Sequence, residues 1–366
     1  MEGKVVVVNL VLVVFVFGVG SGFEFHQQQV LIPREKTCPV AEDILPCVCT
    51  VSEELLDLRL DCSSVQNEAQ LRSVFQASFP DTDFFELVID QDPADPNTNL
   101  MVMKQDTLGN VSFEHVRILG TKLVTVEAYA FSNSYQTLIH LDLTNNNIQS
   151  FPFASLPRYV SLQTFLIEAN DVASLHHIIS ISLQVLSVSF NPLSTLEVST
   201  LTGSPALTEV YLGYADLMTL DPGHFTHLAN LTTLDLDSNT ITVLEYQAIV
   251  TPSNTISYLN LNSNELTFVR HDAISGLSSD ATLTLRNNAL TTLEEASWLH
   301  VFQQLYPDGV IDLSGNPLVC GCDLAWIMLD PQDRYRPLIT DTTRCGVDGP
   351  ILIFLDQAFF EQQCQP

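Results

Sequence analysis

One apolar pattern recurs along the chain and constrains its fold more than any other feature. The spelling LxxLxLxxNxL first begins at Leu138 and last ends at Leu318, and its ninth position falls at residues 146, 170, 191, 215, 239, 264, 288 and 316. Seven of these eight positions hold asparagine, and Ala215 is the exception. The steps between them are 24, 21, 24, 24, 25, 24 and 28 residues, so one structural unit is repeated along about half of the chain.

This period and spelling are typical of a leucine-rich repeat solenoid. In each unit the fourth and sixth positions face the interior from a short strand, and the third, fifth and seventh positions face outward. A single unit cannot bury its own apolar face, so the units stack and their strands form one parallel sheet. The interior asparagine satisfies backbone groups of the turn that leaves the strand. We therefore expect a looser turn at Ala215.

Two degenerate units precede the eight strict ones, around Leu87 and Ile89 and around Val116, Ile118 and Leu123. The predicted fold is an α/β solenoid, a leucine-rich repeat horseshoe with a parallel concave sheet of about ten strands. At roughly 4.8 Å per strand the inner arc would be about 48 Å long. Such a surface is wide enough for a protein partner.

The first 22 residues predict secretion. Lys4 precedes an apolar run over residues 5–19, and small residues follow at positions 20–22, as in a cleaved signal peptide. The alternative is an uncleaved membrane anchor, which the length disfavours because a spanning helix needs roughly 20 apolar residues. No second spanning segment or lipid-anchor signal is recognisable near the C-terminus. We expect a signal peptide at residues 1–22 and a secreted, extracellular mature chain without a membrane anchor.

All eight cysteines lie in two groups of four that flank the repeats. They divide the chain into an N-terminal segment and cysteine-rich cap at 23–65, repeats at 66–318 and a C-terminal cysteine-rich cap at 319–366. Open solenoids need caps over their apolar ends, and disulfides hold small segments together in oxidising surroundings. Zinc binding is the alternative, but oxidised cysteines cannot bind the metal. Spacing alone leaves three pairings open in each group.

Both cysteine groups resemble the flanks of extracellular leucine-rich repeat proteins. The first group reads CP at residues 38–39, CVC at residues 47–49 and a single cysteine at residue 62. The second begins with NPLVCGC at residues 316–322 and is followed by Trp326. In that family the first cysteine pairs with the third and the second with the fourth. The pairs that the resemblance implies are Cys38 with Cys49, Cys47 with Cys62, Cys320 with Cys345, and Cys322 with Cys364.

The chain is strongly acidic, with 14 basic and 43 acidic side chains and a net charge of -29. Nucleic acid is excluded as a partner because phosphate binding needs clustered Lys and Arg. Repulsion also disfavours anionic membrane surfaces. The acidity serves either the solubility of an extracellular protein or the attraction of a basic partner. We favour solubility, because global charge bears more directly on solubility than on specificity.

Catalytic and metal-binding motifs are absent from the sequence: it has no nucleophile elbow, zinc-protease motif, phosphate loop or dinucleotide fingerprint. Residues 90–99 faintly resemble a calcium loop, but Asp95 stands where glycine is required and Met101 where glutamate is required. His176 and His177 are adjacent without a further ligand pattern. We expect no enzymatic activity, no catalytic residues, no metal and no cofactor.

Two predicted glycosylation acceptors, Asn110 and Asn230, begin N-x-S/T triplets. Because Asn230 comes just before a predicted strand, a glycan there would project from the rim and leave part of the concave face free.

Outward strand positions are where a binding function is expected on this scaffold. The middle of the arc combines aromatic and acidic side chains, and tyrosine is an amphipathic anchor that often dominates interface energies. Exposed aromatic residues also occur on sheets that bind nothing. The predicted binding residues are Glu168, Glu209, Tyr211, Tyr214, Asp235, Asp237, Tyr258 and Asn260.

The sequence of the first cap resembles that of a narrower group of proteins. The spellings CPVAEDILPCVC at residues 38–49 and LDCS at 60–63, with the acidic repeats behind them, resemble arthropod secreted proteins related to the non-catalytic subunit of oplophorus-luciferin 2-monooxygenase. The similarity covers nearly the whole chain. It implies a leucine-rich subunit without catalytic activity that accompanies a small light-producing subunit.

The favoured functional hypothesis is a secreted binding or scaffold subunit whose concave face engages another secreted protein, such as a small catalytic subunit. The alternative is an extracellular innate-immune or matrix recognition protein that binds glycan or glycoprotein. A secreted hydrolase or oxygenase is disfavoured because no activated nucleophile, acid–base pair or metal set is recognisable.

Overall fold

The computed structural model describes residues 36–52, 56–92, 94–95, 99–346 and 348–364. The predicted signal peptide at 1–22 lies outside these residues. In chain order the strands are β1 (Val48–Val51), β2 (Leu58–Asp61), β3 (Asp83–Asp90), β4 (Val102–Met103), β5 (Ser112–Leu119), β6 (Thr125–Val126), β7 (His140–Asp142), β8 (Thr164–Leu166), β9 (Val185–Ser187), β10 (Glu209–Tyr211), β11 (Thr233–Asp235), β12 (Val243–Leu244), β13 (Ile249–Val250), β14 (Ile256–Asn260), β15 (Phe268–Val269), β16 (Ile274–Ser275), β17 (Leu277–Thr284) and β18 (Val310–Asp312).

Helices occupy the convex side and the two ends of the molecule. The α-helices are α1 (Glu68–Val74), α2 (Glu295–Leu305), α3 (Ala325–Met328) and α4 (Gln357–Gln363). Short 3-10 helices lie at Ala41–Ile44, Ser132–Ser134, Phe153–Arg158, Cys322–Leu324, Arg336–Leu338 and Leu352–Phe354. Helix α2 lies within the 28-residue step that separates the last two repeats, which explains why that step is the longest.

One sheet runs the length of the described chain. Its twelve strands follow the order β1-β2-β3-β5-β7-β8-β9-β10-β11-β14-β17-β18. Ten of them are the repeat strands that the sequence predicts, and the first cap adds β1 and β2. Only the first pair, β1 with β2, is antiparallel among these neighbours. The cap hairpin thus covers the edge that the first repeat strand would otherwise expose.

The core is continuous because every repeat points the same positions inward. Leu141 and Leu143 of one repeat and Leu234 and Leu236 of another are fully buried. The asparagine of each turn links two neighbouring repeats. For example, Asn170 Oδ1 accepts from Ile148 N at 2.8 Å, and its Nδ2 donates to Leu143 O at 2.9 Å. A buried amide therefore satisfies backbone groups that water cannot reach.

We call the series of buried asparagines at the ninth positions the asparagine ladder, and Ala215 interrupts it. Asn239 Oδ1 compensates on one side, accepting from both Ala215 N and Leu217 N at 3.0 Å. On the other side, the backbone N–H of Leu193 lacks an asparagine at 215 and donates to Asn191 O at 2.8 Å. The turn that we expect to be looser is therefore closed by a local backbone bond instead of a side-chain amide.

Four disulfides hold the ends of the solenoid. The pairs are Cys38–Cys49, Cys47–Cys62, Cys320–Cys345 and Cys322–Cys364, the same pairing that the resemblance implies. In the second cap, Trp326 packs edge-on against Phe302 of α2 and its Nε1 donates to Leu293 O at 2.8 Å. The cap thus adds its own apolar layer to the last repeat.

Candidate functional site

The outward positions of the repeats align in rows across the concave face, because neighbouring strands pair without a shift at these positions. We name each row by its position in the repeat pattern. In the third row Glu209 pairs with Thr233, and Thr233 with Tyr258. In the fifth row Tyr211 pairs with Asp235, and Asp235 with Asn260. Five of the predicted binding residues therefore lie on three adjacent strands, β10, β11 and β14.

Tyr211 is held at the centre of this patch by its own strand. Its hydroxyl donates to Glu209 Oε2 at 2.7 Å. Burial, the hydrogen bond to Glu209 and the negative charges of Glu209, Asp235 and Glu168 raise the pKa of Tyr211 to about 12. The phenol is therefore a neutral, oriented ring at physiological pH, which suits an amphipathic interface anchor.

Asp235 and Asn260 continue the fifth row. Asp235 Oδ1 accepts from Asp237 N at 2.8 Å, and Asn260 Oδ1 accepts from Asn262 N at 3.1 Å. Burial is the main cause of a raised pKa at Asp235, which hydrogen bonds from Asp237 N and Asn260 partly offset. Burial and the charges of Asp235 and Asp237 also raise the pKa of Tyr258, whose side chain is 37% exposed. This acidic patch is partly desolvated before any partner arrives.

The other three predicted residues lie nearer the rim where the strands end. Glu168 and Asp237 hold the seventh position, after β8 and β11 respectively. Tyr214 holds the eighth position, and its backbone N–H donates to Asp237 O at 2.9 Å. The predicted residues thus divide between a central patch and a rim group.

Tyr214 forms a stacked pair with Phe190, a residue that the sequence analysis misses. Their ring centroids are 4.3 Å apart with an interplanar angle of 12°. About half of each side chain is exposed, 51% for Phe190 and 50% for Tyr214. The sequence analysis considers the third, fifth and seventh positions and adds only Tyr214 from the eighth, which Phe190 also holds. The signal that could have found it is its 24-residue spacing from Tyr214, which places both rings in one row.

The eighth row has one backbone conformation throughout. Its residues from the first strict repeat to the last have positive φ values: Asn145 59°, Ala169 49°, Phe190 57°, Tyr214 52°, Ser238 52°, Ser263 52°, Asn287 54° and Gly315 76°. Non-glycine residues rarely adopt this left-handed region, and large side chains do so least. The two rings are therefore held outward by the repeat geometry and contribute nothing to the buried core.

Buried small residues lie beside the stacked pair. We name them the small-residue group: Ser187, in the fifth row at the end of β9, and Ser189 and Gly213, in the seventh row after β9 and β10. Gly213 N donates to Ser189 Oγ at 3.1 Å. The Oγ atom of Ser187 has no hydrogen-bond partner among the described residues, although the residue is only 1% exposed. This hydroxyl is therefore a buried polar atom that another molecule does not reach.

A different group of side chains occupies the N-terminal end of the concave face. We name it the N-terminal ring stack: Arg59, Phe85, His115 and His140. The guanidinium of Arg59 lies 5.0 Å from the Phe85 ring, the Phe85 and His115 centroids are 4.5 Å apart, and those of His115 and His140 are 5.7 Å apart. Burial is the main cause of a lowered pKa at His140. The side chains of this stack therefore contact one another within the chain.

Among the described residues, no group of three or more His, Cys, Asp or Glu side chains has the geometry of a metal site. His176 and His177 lie instead beside a shallow apolar depression, together with Phe151 and Phe153. His177 Nε2 forms a hydrogen bond with Thr202 Oγ1 at 3.0 Å. No helix in the described part of the chain could span a bilayer.

Asn110 and Asn230, the predicted glycosylation acceptors, are both exposed. Asn110 precedes β5 and Asn230 precedes β11, and Asn230 Nδ2 donates to Pro205 O at 3.2 Å. Their use as glycan acceptors stays a prediction.

Comparison with known proteins finds relatives that have leucine-rich repeats. A family model described as leucine rich repeat matches residues 181–245. The Oplophorus-luciferin 2-monooxygenase non-catalytic subunit of Oplophorus gracilirostris is 30% identical over 363 residues, covering 98% of this chain and 97% of that protein. Tsukushi of Gallus gallus is 23% identical over 206 residues, covering 55% of this chain and 56% of that protein.

Solved structures share the fold at low identity. A chain of the octameric complex of Latrophilin 3, Unc5D and FLRT2 matches with a TM-score of 0.63 and 18% identity, over 81% of this chain and 88% of that one. A chain of the Drosophila Toll–Spatzle complex matches with a TM-score of 0.53 and 16% identity, over 81% of this chain and 44% of that one. From its repeats, its cysteine-capped ends and its whole-length similarity, the chain belongs to the leucine-rich repeat family that includes the Oplophorus-luciferin 2-monooxygenase non-catalytic subunit.

Proposed function

We propose that this protein is a secreted, non-catalytic binding subunit that holds another secreted protein on its concave face. Its relative from Oplophorus gracilirostris is named as the non-catalytic subunit of a monooxygenase, and the four disulfides suit an oxidising, extracellular setting. By this proposal the partner is a secreted polypeptide, for which a small catalytic subunit is the first candidate.

The observation that carries the proposal is the central patch of Tyr211, Asp235 and Tyr258. Two tyrosine rings lie in adjacent outward rows beside partly desolvated carboxylates, and burial raises the pKa of each hydroxyl further above neutral pH. Interfaces draw much of their binding energy from such aromatic anchors surrounded by polar groups. The patch lies on rigid strands, so little ordering is needed when a partner binds.

Purification of the native protein from body fluid, with identification of what co-elutes, is the direct test. A stoichiometric polypeptide supports the proposal. A bound glycan without a polypeptide supports the recognition alternative, and turnover of a substrate by the isolated recombinant chain contradicts a non-catalytic role.

With the partner in hand, Tyr211→Ala and Tyr258→Ala should each weaken its binding by about 2 kcal/mol, the range for aromatic anchors. Calorimetric titration measures the loss, and thermal unfolding checks that each variant stays folded. Tyr246→Ala is the matched control, because Tyr246 is similarly exposed at 45% but lies outside the concave rows. Parental affinity in both concave variants would show that the patch is an idle surface.

Secretion has a separate test. By this proposal the signal peptide at 1–22 is removed, with cleavage after Gly20 or Gly22. N-terminal sequencing of protein secreted by cultured cells should therefore begin at Ser21 or Phe23. A secreted form that begins at Met1 contradicts the cleavage.

A further inference from the structure

The central repeats contain carboxylates but no fixed cations of their own. Between Arg158 and Arg270 the sequence has ten Asp and Glu residues and no Lys or Arg. This interval contains every strand from β8 to β15. Among the described residues, no ion pair involves Glu168, Asp235 or Asp237. The concave centre therefore has an excess of negative charge that the chain leaves unbalanced.

The stacked pair leaves the outer face of each ring open. Backbone hydrogen bonds place the eighth-row residues in the order Ala169, Phe190, Tyr214 and Ser238. Ala169 lies next to Phe190 and Ser238 next to Tyr214, and both are too short to cover a ring. Each outer face is therefore free to receive a planar group.

A carboxylate accompanies each open ring face. Glu168 precedes Ala169 on the Phe190 side, and Asp237 precedes Ser238 on the Tyr214 side. The two acids hold the seventh row on either side of Ser189 and Gly213. The arrangement thus repeats one unit, a ring face beside a carboxylate, on both sides of these small residues.

A guanidinium group matches this unit better than other cations do. It is planar and weakly hydrated, it stacks on aromatic faces, and it pairs with a carboxylate through two parallel N–H groups. The chain itself contains such an arrangement at its N-terminal end, where Arg59 lies 5.0 Å from the Phe85 ring and 3.2 Å from Glu86 Oε2. The central unit has the ring and the acid but lacks the arginine.

We propose that the concave centre binds an arginine-bearing basic segment of the partner protein, with a guanidinium stacked on the outer face of Tyr214 or Phe190 and paired with Asp237 or Glu168. This inference rests on the proposed function and names the chemistry of the partner.

The test uses the full secreted chain with its disulfides formed and two fluorescent probes, a tetra-arginine peptide and a tetra-lysine peptide. Fluorescence polarisation measures binding at physiological salt, where general attraction between distant charges is largely screened. The parent should bind the arginine peptide about tenfold more tightly than the lysine peptide, because only guanidinium both stacks and pairs bidentately.

Two double variants separate stacking from charge. Phe190→Leu with Tyr214→Leu removes the rings, and Glu168→Gln with Asp237→Asn removes the carboxylates. Each should weaken binding of the arginine peptide by about tenfold. The control Glu197→Gln with Asp221→Asn removes the same charge from exposed convex positions and should bind like the parent.

Equal binding of the two peptides, or parental affinity without the rings, would overturn the inference and leave only general acidic attraction. Binding of a glycan that needs both rings, without arginine binding, would overturn it as well. Partner capture by the same variants distinguishes the two proposals. If Tyr211→Ala loses the partner but ring removal does not affect the arginine peptide, the inference fails and the proposed function stands. If the rings bind arginine but no partner needs the concave face, the proposed function fails.

Discussion

At the N-terminal end of the concave face, Arg59 lies over Phe85 and pairs with Glu86, whereas at the centre Phe190, Tyr214 and Asp237 have no arginine of their own. Both regions combine aromatic rings with a carboxylate, within a strand at the N-terminal end and just after the strands at the centre. They differ in whether the chain supplies the cation. The N-terminal region therefore supplies its own cation, while by our proposal the centre takes its cation from another molecule.

The turns beneath the two regions differ as well. Near the N-terminal end, Asn146 Oδ1 accepts from Thr121 N at 2.9 Å and continues the asparagine ladder. At the centre Ala215 interrupts the ladder directly after Tyr214. The exposed stacked pair thus lies where the scaffold has fewer side-chain bonds to its turns, so the central region depends more on its remaining asparagine.

The largest effect should come from that remaining asparagine. Asn239→Ala leaves Ala215 N, Leu217 N and Leu212 O without their buried partner, and should lower the free energy of unfolding by about 3 kcal/mol. Denaturant titration measures the loss. Asn147→Ala, an exposed asparagine without such bonds, is the control. Equal stability of the two variants would contradict a special dependence at the centre.

A second change would make the centre resemble the N-terminal region. Ser238→Arg places a guanidinium beside Tyr214 and Asp237, where it should occupy the site within the chain and weaken binding of the arginine peptide by about tenfold. Fluorescence polarisation measures the affinity. Ser238→Gln keeps a long polar side chain without the charge and should bind nearly like the parent. A parental affinity in the arginine variant would show that the ring face is not where the peptide binds.

The reverse change disturbs the N-terminal region. Glu86 pairs with Arg59 at 3.2 Å and lies 4.0 Å from Arg117, so Glu86→Gln leaves two like charges without their shared carboxylate. Because both arginine side chains are more than 40% exposed, the loss of stability should be about 0.5–1 kcal/mol. Thermal unfolding at low and high salt measures it, and salt should reduce the difference. Glu265→Gln, at an exposed position without an ion pair, should cause no loss.

The smallest expected effect is the pH dependence that His140 gives to the free energy of unfolding. Burial lowers the pKa of His140 below its usual 6.5, while Asp142, His115, Arg117 and Glu86 also act on it. The unfolded chain therefore takes up a proton before the folded chain does, and stability falls as pH drops through 6.5 toward the lower folded-state pKa. His140→Phe keeps a ring against His115 and removes this titration.

Melting temperatures measured between about pH 7 and about pH 5 test this prediction. The temperature should fall less on acidification in the variant than in the parent, since the other titrating groups remain in both proteins. An equal fall in the two proteins would show that His140 does not contribute.

The sequence predicts the scaffold closely because the repeat pattern specifies both burial and register. Leu141 and Leu234, for instance, lie where the pattern places them, and Tyr211, Asp235 and Asn260 align in one row because each holds the fifth position of its repeat. The disulfide pairing follows from family resemblance, since cysteine spacing alone leaves alternatives open.

The parts that sequence analysis misses lie where the pattern leaves a position unspecified. Phe190 holds the eighth position, which the pattern spells as x, and its left-handed backbone conformation is a property of the assembled turn. Phe85 and His115 lie in the degenerate units, where two consecutive residues of β3, Phe85 and Glu86, are both partly exposed and simple alternation fails. Their contact therefore depends on three-dimensional register.

The uniform left-handed eighth row has a practical consequence for protein engineering. Seven side chains and Gly315 lie in a line along one edge of the molecule, outside the paired strands. Gly315 has to stay glycine, because an added Cβ would collide with Asn287 Oδ1. Replacing these side chains would change which ligands the surface can bind while the fold stays the same. This scaffold therefore suits selection experiments in which only the edge is randomised and new ligands are sought without redesigning the fold.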